Sequence, residues 1–183
     1  MFALPSVFTR KFRRFGRARR GSATIEFGLV AVPFFLLIFG LAEISMIGFV
    51  QTTLDNAVNG TARAIRTGQA QMGGLGAAQM KQDLCDRMIS LLAINCNENL
   101  YLDVRRFNSF IDANNAANNP IDDGEFDDSG FGYQPGAASD IVVVRAYYRW
   151  HIMTPMFQPV FQNISSGERV MVSTMLFRNE PYQ

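Results

Sequence analysis

The chain of 183 residues has room for one domain of ordinary size plus an anchor, and little for two independent cores. Its formal net charge of +1 conceals an asymmetry. Arg10, Lys11, Arg13, Arg14, Arg17, Arg19 and Arg20 fall within residues 1–20, where no acid occurs, and all 16 acidic residues lie in the net acidic remainder. A single histidine, His151, excludes a multi-histidine metal cluster or a paired-histidine acid–base site.

The basic leader, residues 1–21, abuts an apolar stretch, which favours phospholipid headgroups over nucleic acid as its partner. That stretch, FGLVAVPFFLLIFGLAEISMIGFV at residues 27–50, carries one charge, Glu43. At 1.5 Å per residue it is long enough to cross about 30 Å of hydrocarbon. The predicted membrane helix therefore covers residues 22–50, with the cationic leader cytoplasmic and the chain beyond exported. The apolar run is too long for a cleaved secretory signal, whose core spans about 7 to 15 residues, so the helix stays attached. Pro33, Gly28, Gly40 and Gly48 are tolerated in such a helix where neighbouring helices cover the freed backbone, which points to partner helices. Glu43 lies inside or near the far interface, where a carboxylate either reaches outer headgroups, is protonated, or has a specific partner.

Residues 51–183 read as one exported α+β domain. Leu54, Val58, Ala62 and Ile65 continue the helix on one stripe, and Gly68 stops it. A glycine-rich break at residues 72–76 lacks the lysine and preceding strand of a phosphate loop and reads as a plain loop. Met80, Leu84, Met88, Leu91 and Leu92 then form the apolar stripe of a second helix. Three period-2 stretches come next as strands: Leu100, Leu102 and Val104; Val142 to Ile152; and Arg169 to Arg178. Each of the first two buries one face, leaving Asp103, Arg105, Arg145, Tyr147, Arg149 and His151 outward. The expected fold is a small antiparallel sheet packed on the extended N-terminal helix.

Cys85 on the second helix and Cys96 just beyond it fit one disulfide or two separate thiols, and an oxidising compartment favours the disulfide. Residues 107–139, rich in Asn, Ala, Gly and Asp, are predicted to form a long surface excursion. Its acidic run, Asp122 to Asp128, misses the register of an EF-hand because Ile121 falls on a ligand position, so no metal site is expected. No G-x-S-x-G motif or other catalytic constellation occurs, and neither catalysis nor a cofactor has support in the sequence.

The junction Arg19-Arg20-Gly21-Ser22-Ala23-Thr24-Ile25-Glu26-Phe27 resembles the processing site of type IV pilin-like proteins. The resemblance implies that a prepilin-type peptidase cuts between Gly21 and Ser22. Glu26 then becomes the fifth mature residue and pairs with the N-terminal amine of a neighbouring subunit. The wider stretch RRGSATIEFGLVAVPFFLLIFGLAEISMIGF is similar to the TadE-like proteins, minor pseudopilins of bacterial tight-adherence pili. Ala62-Arg63-Ala64-Ile65-Arg66-Thr67-Gly68, the tail Phe177-Arg178-Asn179-Glu180-Pro181-Tyr182 and Glu43 match the same family. That likeness implies a pilin-like fold and a non-enzymatic role in tight-adherence pilus biogenesis and surface adhesion, with Glu26, Phe27 and Glu43 in helix packing and assembly. The implied partners are the peptidase, other pilin-like subunits, the assembly machinery and membrane lipid. The implied location is the inner membrane, single-pass, with the C-terminal domain periplasmic. A TadE-like segment also opens larger surface proteins that keep their anchor, so a permanently anchored envelope scaffold or adhesin is the alternative.

Overall fold

The computed structural model describes residues 22–88, 96–116 and 119–182. The leader with Gly21, the Ser22 side chain, and Leu91 and Leu92 of the second-helix stripe lie outside the described residues. The chain divides into two units, Met1–Ala42 and Glu43–Gln183, and helix α1, Ser22–Arg66, runs through that boundary.

Within the first unit the described residues are helical and keep Pro33 inside the helix. Among the described residues most of its apolar side chains are exposed: Ile25, Phe27, Leu29, Val30 and Val32 are each at least 62% exposed.

In the second unit the stripe read from the sequence becomes the core. Val50, Leu54, Ala57, Val58, Ala62 and Ile65 of α1 are buried with Met80 and Leu84. Full burial of a leucine or isoleucine side chain is worth about 1.5–3 kcal/mol. The helix ends because Gly68 takes φ 78°, a left-handed conformation that costs glycine nothing. A short helix α2, Gln69–Met72, precedes α3, Ala77–Arg87, whose inward positions are Met80, Leu84 and Cys85. Met88, expected inside the second helix, instead caps α3 in an extended conformation. Cys85 is bonded to Cys96 at the start of α4, Cys96–Asn99, across a sequence separation of 11. The bridge ties the end of α3 to the entry of β1, Leu100–Phe107.

Strand β4, Ile141–His151, is central, with β1 on one side and β5, Glu168–Arg178, on the other, all antiparallel. Leu100, Val104, Val142, Val144, Ala146 and Tyr148 face the helix core as the alternation requires. The fold is therefore α+β: a long helix, shorter helices, and a small antiparallel sheet.

The expected single buried face of β4 is corrected by the structure, since every residue from Ile141 to Tyr148 is buried. The cover comes from the segment expected as a surface excursion. Helix α5, Phe110–Asn115, is capped by Ser109, whose hydroxyl accepts from the Asp112 N–H, and it sets Ala113 against Ile141 and Val143. The hairpin of β2, Ile121–Asp122, and β3, Glu125–Phe126, comes next in the chain. Phe126 and Phe131 pack with Tyr101 and Tyr147, the Phe131 and Tyr147 rings stacking at 5.0 Å. Residues 132–134 pair alongside β1, the Val104 N–H donating to the Gly132 carbonyl and the Gln134 N–H to the Val104 carbonyl, both at 2.8 Å. A few aromatic side chains in a polar run are enough to cover a sheet face.

Candidate functional site

The candidate assembly surface begins with α1. Among the described residues it is the one helix long and apolar enough to cross a membrane, by length and composition. The largely exposed apolar surface of its N-terminal part, Ile25 to Leu41, calls for lipid or other apolar helices as cover. Glu26 and Phe27 are exposed on this helix, in the first unit. Ser22 is its first residue.

Glu43, in the second unit, is 3% exposed and has a specific partner. Its Oε1 accepts from the Met153 N–H and its Oε2 from the Thr154 N–H, each at 3.1 Å. Both oxygens of a buried carboxylate are thus held by backbone donors just past the end of β4, the arrangement that makes burial of such a group tolerable. The signal for this contact is absent from the sequence, because the donors are backbone groups 110 and 111 positions away.

At the other end of α1 the two remaining motifs meet. Arg66 donates to Glu180 Oε1 from Nε at 3.2 Å and from Nη2 at 3.0 Å, while the Glu180 N–H donates to the Arg66 carbonyl at 2.8 Å. Asn179, buried, donates through Nδ2 to the Pro135 and Ala137 carbonyls, both at 2.9 Å. Gln71 reaches the same Pro135 carbonyl from α2 at 2.9 Å. The helix end, the loop at residues 135–137 and the C-terminal tail therefore form one clasp. The exposed ion pair adds about 0–1 kcal/mol, so most of the hold comes from the buried amide bonds and the ring packing.

Beside the clasp lies a groove of about 540 Å³ between the end of α1 and the outer edge of β5, lined by Asn59, Arg63, Thr67, Met175 and Phe177 among others. Asn163 occupies that edge at Val170, bonding both its N–H and its carbonyl, and Gln51 bonds the Val172 carbonyl. Strand alternation places the N–H and C=O of Thr174 and Leu176 on the same edge, and no partner for them occurs among the described residues.

The acidic hairpin holds no metal cage: among the described residues, no group of three His, Cys, Asp or Glu side chains is placed to bind an ion. Hydrogen bonds from Ser129 hold the exposed Asp127 carboxyl below the usual carboxylate range. His151 is exposed, and its neighbour Arg149 pairs with Glu168, whose hydrogen bond raises the guanidinium pKa.

Residues 21–63 match the TadE-like protein family, a family of pilus components. No curated protein and no solved structure matches the chain. The matched segment covers most of α1 and ends inside it, short of the clasp. A TadE-like segment on so long and apolar a helix fits a membrane-anchored component associated with the tight-adherence pilus.

Proposed function

With residues 21–63 TadE-like, we propose that this chain is a minor pseudopilin that supports biogenesis of a tight-adherence pilus and, through it, surface adhesion. The observation that carries the reading is the coincidence of the TadE-like match with a helix whose N-terminal apolar side chains, from Ile25 to Leu41, are largely exposed. In this reading the leader holds the precursor in the inner membrane with its C-terminal unit in the periplasm. A prepilin-type peptidase cuts after Gly21, where the absence of a side chain eases entry of the backbone into a protease cleft. Cleavage removes seven cations at once and frees an α-amine at Ser22. Glu26 lies in the membrane segment close to that new terminus, and an amine and a carboxylate drawn out of water stabilise one another. That pairing, between neighbouring subunits, draws α1 into a bundle with other pilin-like helices, and Phe27 packs within it.

N-terminal sequencing of the protein from its native membrane tests the first step: Ser22 is expected as the first residue. Retention of Met1 with the leader defeats processing and leaves the permanently anchored scaffold or adhesin. The second step is tested by Glu26→Ala, which is expected to insert into the membrane normally and to lose piliation; normal pili in that strain refute the assembly role.

A further inference from the structure

Between β4 and β5 the chain runs from Ile152 to Gly167 without a charged side chain. Its first part, Met153 to Phe161, forms a 3₁₀ turn, Pro155–Phe157, and a helical turn, Gln158–Phe161, which turn apolar side chains outward. Met153, Met156 and Val160 are 64%, 66% and 71% exposed, and half-buried Phe157 and Phe161 stand 5.9 Å apart behind them. A contiguous exposed apolar cluster of this kind marks a surface that is covered in use.

Its place in the fold names the cover. The backbone amides of Met153 and Thr154 are the donors that hold Glu43, so the segment is fixed at the level of Glu43 on α1. From Phe27 to Glu43 the helix rises roughly 25 Å, close to the thickness of a hydrocarbon core. Ile44 and Phe49, just beyond Glu43, are also exposed, at 53% and 40%. We propose that Met153–Phe161 lies in the headgroup–acyl boundary of the bilayer that α1 spans, with Met153, Met156 and Val160 inserted into lipid. The proposal rests on the membrane-anchored reading of α1 and extends it to the second unit.

The chemistry of the surroundings agrees with lipid as the partner. An interfacial element buries its apolar face about 5–10 Å deep and keeps charge at headgroup level. Arg169 Nη1 donates to the Phe161 carbonyl, which puts a guanidinium at the end of the apolar segment, where phosphates lie. The acidic β2–β3 hairpin meets this chain past Phe161, where the Ser165 N–H donates to the Gly124 carbonyl. In this arrangement the Glu43 carboxylate, at the membrane boundary, is shielded from acyl chains by the segment it positions.

The test uses the full chain, one copy per lipid nanodisc, with acyl chains brominated or unmodified. Trp150 is the only tryptophan, and its Nε1 has no hydrogen-bond partner among the described residues, so Trp150→Phe supplies a dark background without breaking a bond. In that background Met156→Trp and, separately, Val160→Trp are expected to emit blue-shifted light and to lose most of their fluorescence to bromine. Phe35→Trp, on α1, reports the anchor itself. Quenching at position 35 with unquenched emission at both loop positions overturns the loop insertion alone. That holds also when the loop emission is blue-shifted, since another protein surface then covers the segment. No quenching at position 35 overturns the membrane anchor, and the loop proposal with it.

Discussion

The ring of Tyr182 closes over the α-carbon of Gly68, so tightly that a β-carbon built on Gly68 overlaps the ring. Gly68 is also at φ 78°, where an L side chain costs about 1–2 kcal/mol. Gly68→Ala is therefore expected to destabilise the second unit and to release residues 179–182, read as a lowered urea midpoint and faster carboxypeptidase trimming. Adding Tyr182→Ala removes the overlap but not the backbone cost, so the double variant is expected to lose less than the two single losses combined. Strict additivity would show that the two residues act apart.

The buried Glu43 carboxylate satisfies two backbone N–H groups at once. Glu43→Ala removes the acceptor of both, at about 0.5–1.5 kcal/mol for each part-buried bond. Hydrogen exchange at the Met153 and Thr154 amides is expected to accelerate sharply, with little change at core amides such as Val144. Glu43→Gln keeps one acceptor and is expected to fall between the two. Unchanged exchange in Glu43→Ala would mean that water or lipid headgroups replace the carboxylate without loss.

What the sequence revealed and what it hid divide along a physical line. The three strands and the α1 stripe were legible because burial on one side imposes a period, as at Leu54, Val58, Ala62 and Ile65 or at Val142, Val144 and Ala146. The second cover of β4 was not, because Phe126 and Phe131 stand alone among Asp, Gly and Ser and create no period. Arg145 and Tyr147 therefore read as outward residues, although the structure buries both. Asn179, Glu180 and Arg66 stand out as motif residues, but nothing in their spacing says that one motif grips the other. Glu43 stands out as a charge in an apolar run; its partners, being backbone amides, carry no side-chain signature.

The Cys85–Cys96 bridge closes a short loop, sequence separation 11, and so removes modest entropy from the unfolded chain. Reduction is expected to cost roughly 2–3 kcal/mol. A dithiothreitol-treated sample should show a lower urea midpoint, and a Cys85→Ser, Cys96→Ser variant should show the same midpoint with or without reductant. A midpoint that does not move in the native chain would mean that the packing of Met80 and Leu84 already fixes the end of α3.

Desolvation pushes the Tyr147 and Tyr148 hydroxyls above the ordinary tyrosine value, Arg145 opposing it at Tyr147. The folded state thus holds these protons more tightly than the unfolded chain does. The stability they contribute is complete below the unfolded value, about 10, and is lost as the pH rises past it. Urea midpoints are expected to be level near neutral pH and to fall at alkaline pH, and Tyr148→Phe should flatten the fall. A midpoint that rises with alkalinity contradicts the assignment.

Beneath the loop that covers β4, Asp103 and Arg145 face each other across paired strands, and both are buried. Asp103 Oδ1 accepts from Arg105 Nε at 2.9 Å and from the Gly132 N–H at 3.0 Å, whereas Oδ2 faces Arg145 Nη1 at 3.7 Å without a hydrogen bond. Arg145 also donates from Nη2 to the Ala116 carbonyl at 3.0 Å. The two ends of the pair therefore differ. Asp103→Ala leaves a buried guanidinium without a counter-ion and the Gly132 amide without an acceptor, a loss of about 3–5 kcal/mol. Arg145→Met leaves Asp103 with Arg105 and Gly132, and a long apolar side chain fills the space of the guanidinium, so its cost is expected to be clearly smaller. The double variant Asp103→Leu, Arg145→Met is expected to recover most of the loss of Asp103→Ala, because well-packed apolar side chains often replace a buried pair without net cost. Urea unfolding of the four proteins decides it: equal losses for Asp103→Ala and Arg145→Met would mean that the bonds to Arg105 and Gly132 contribute nothing to holding the aspartate.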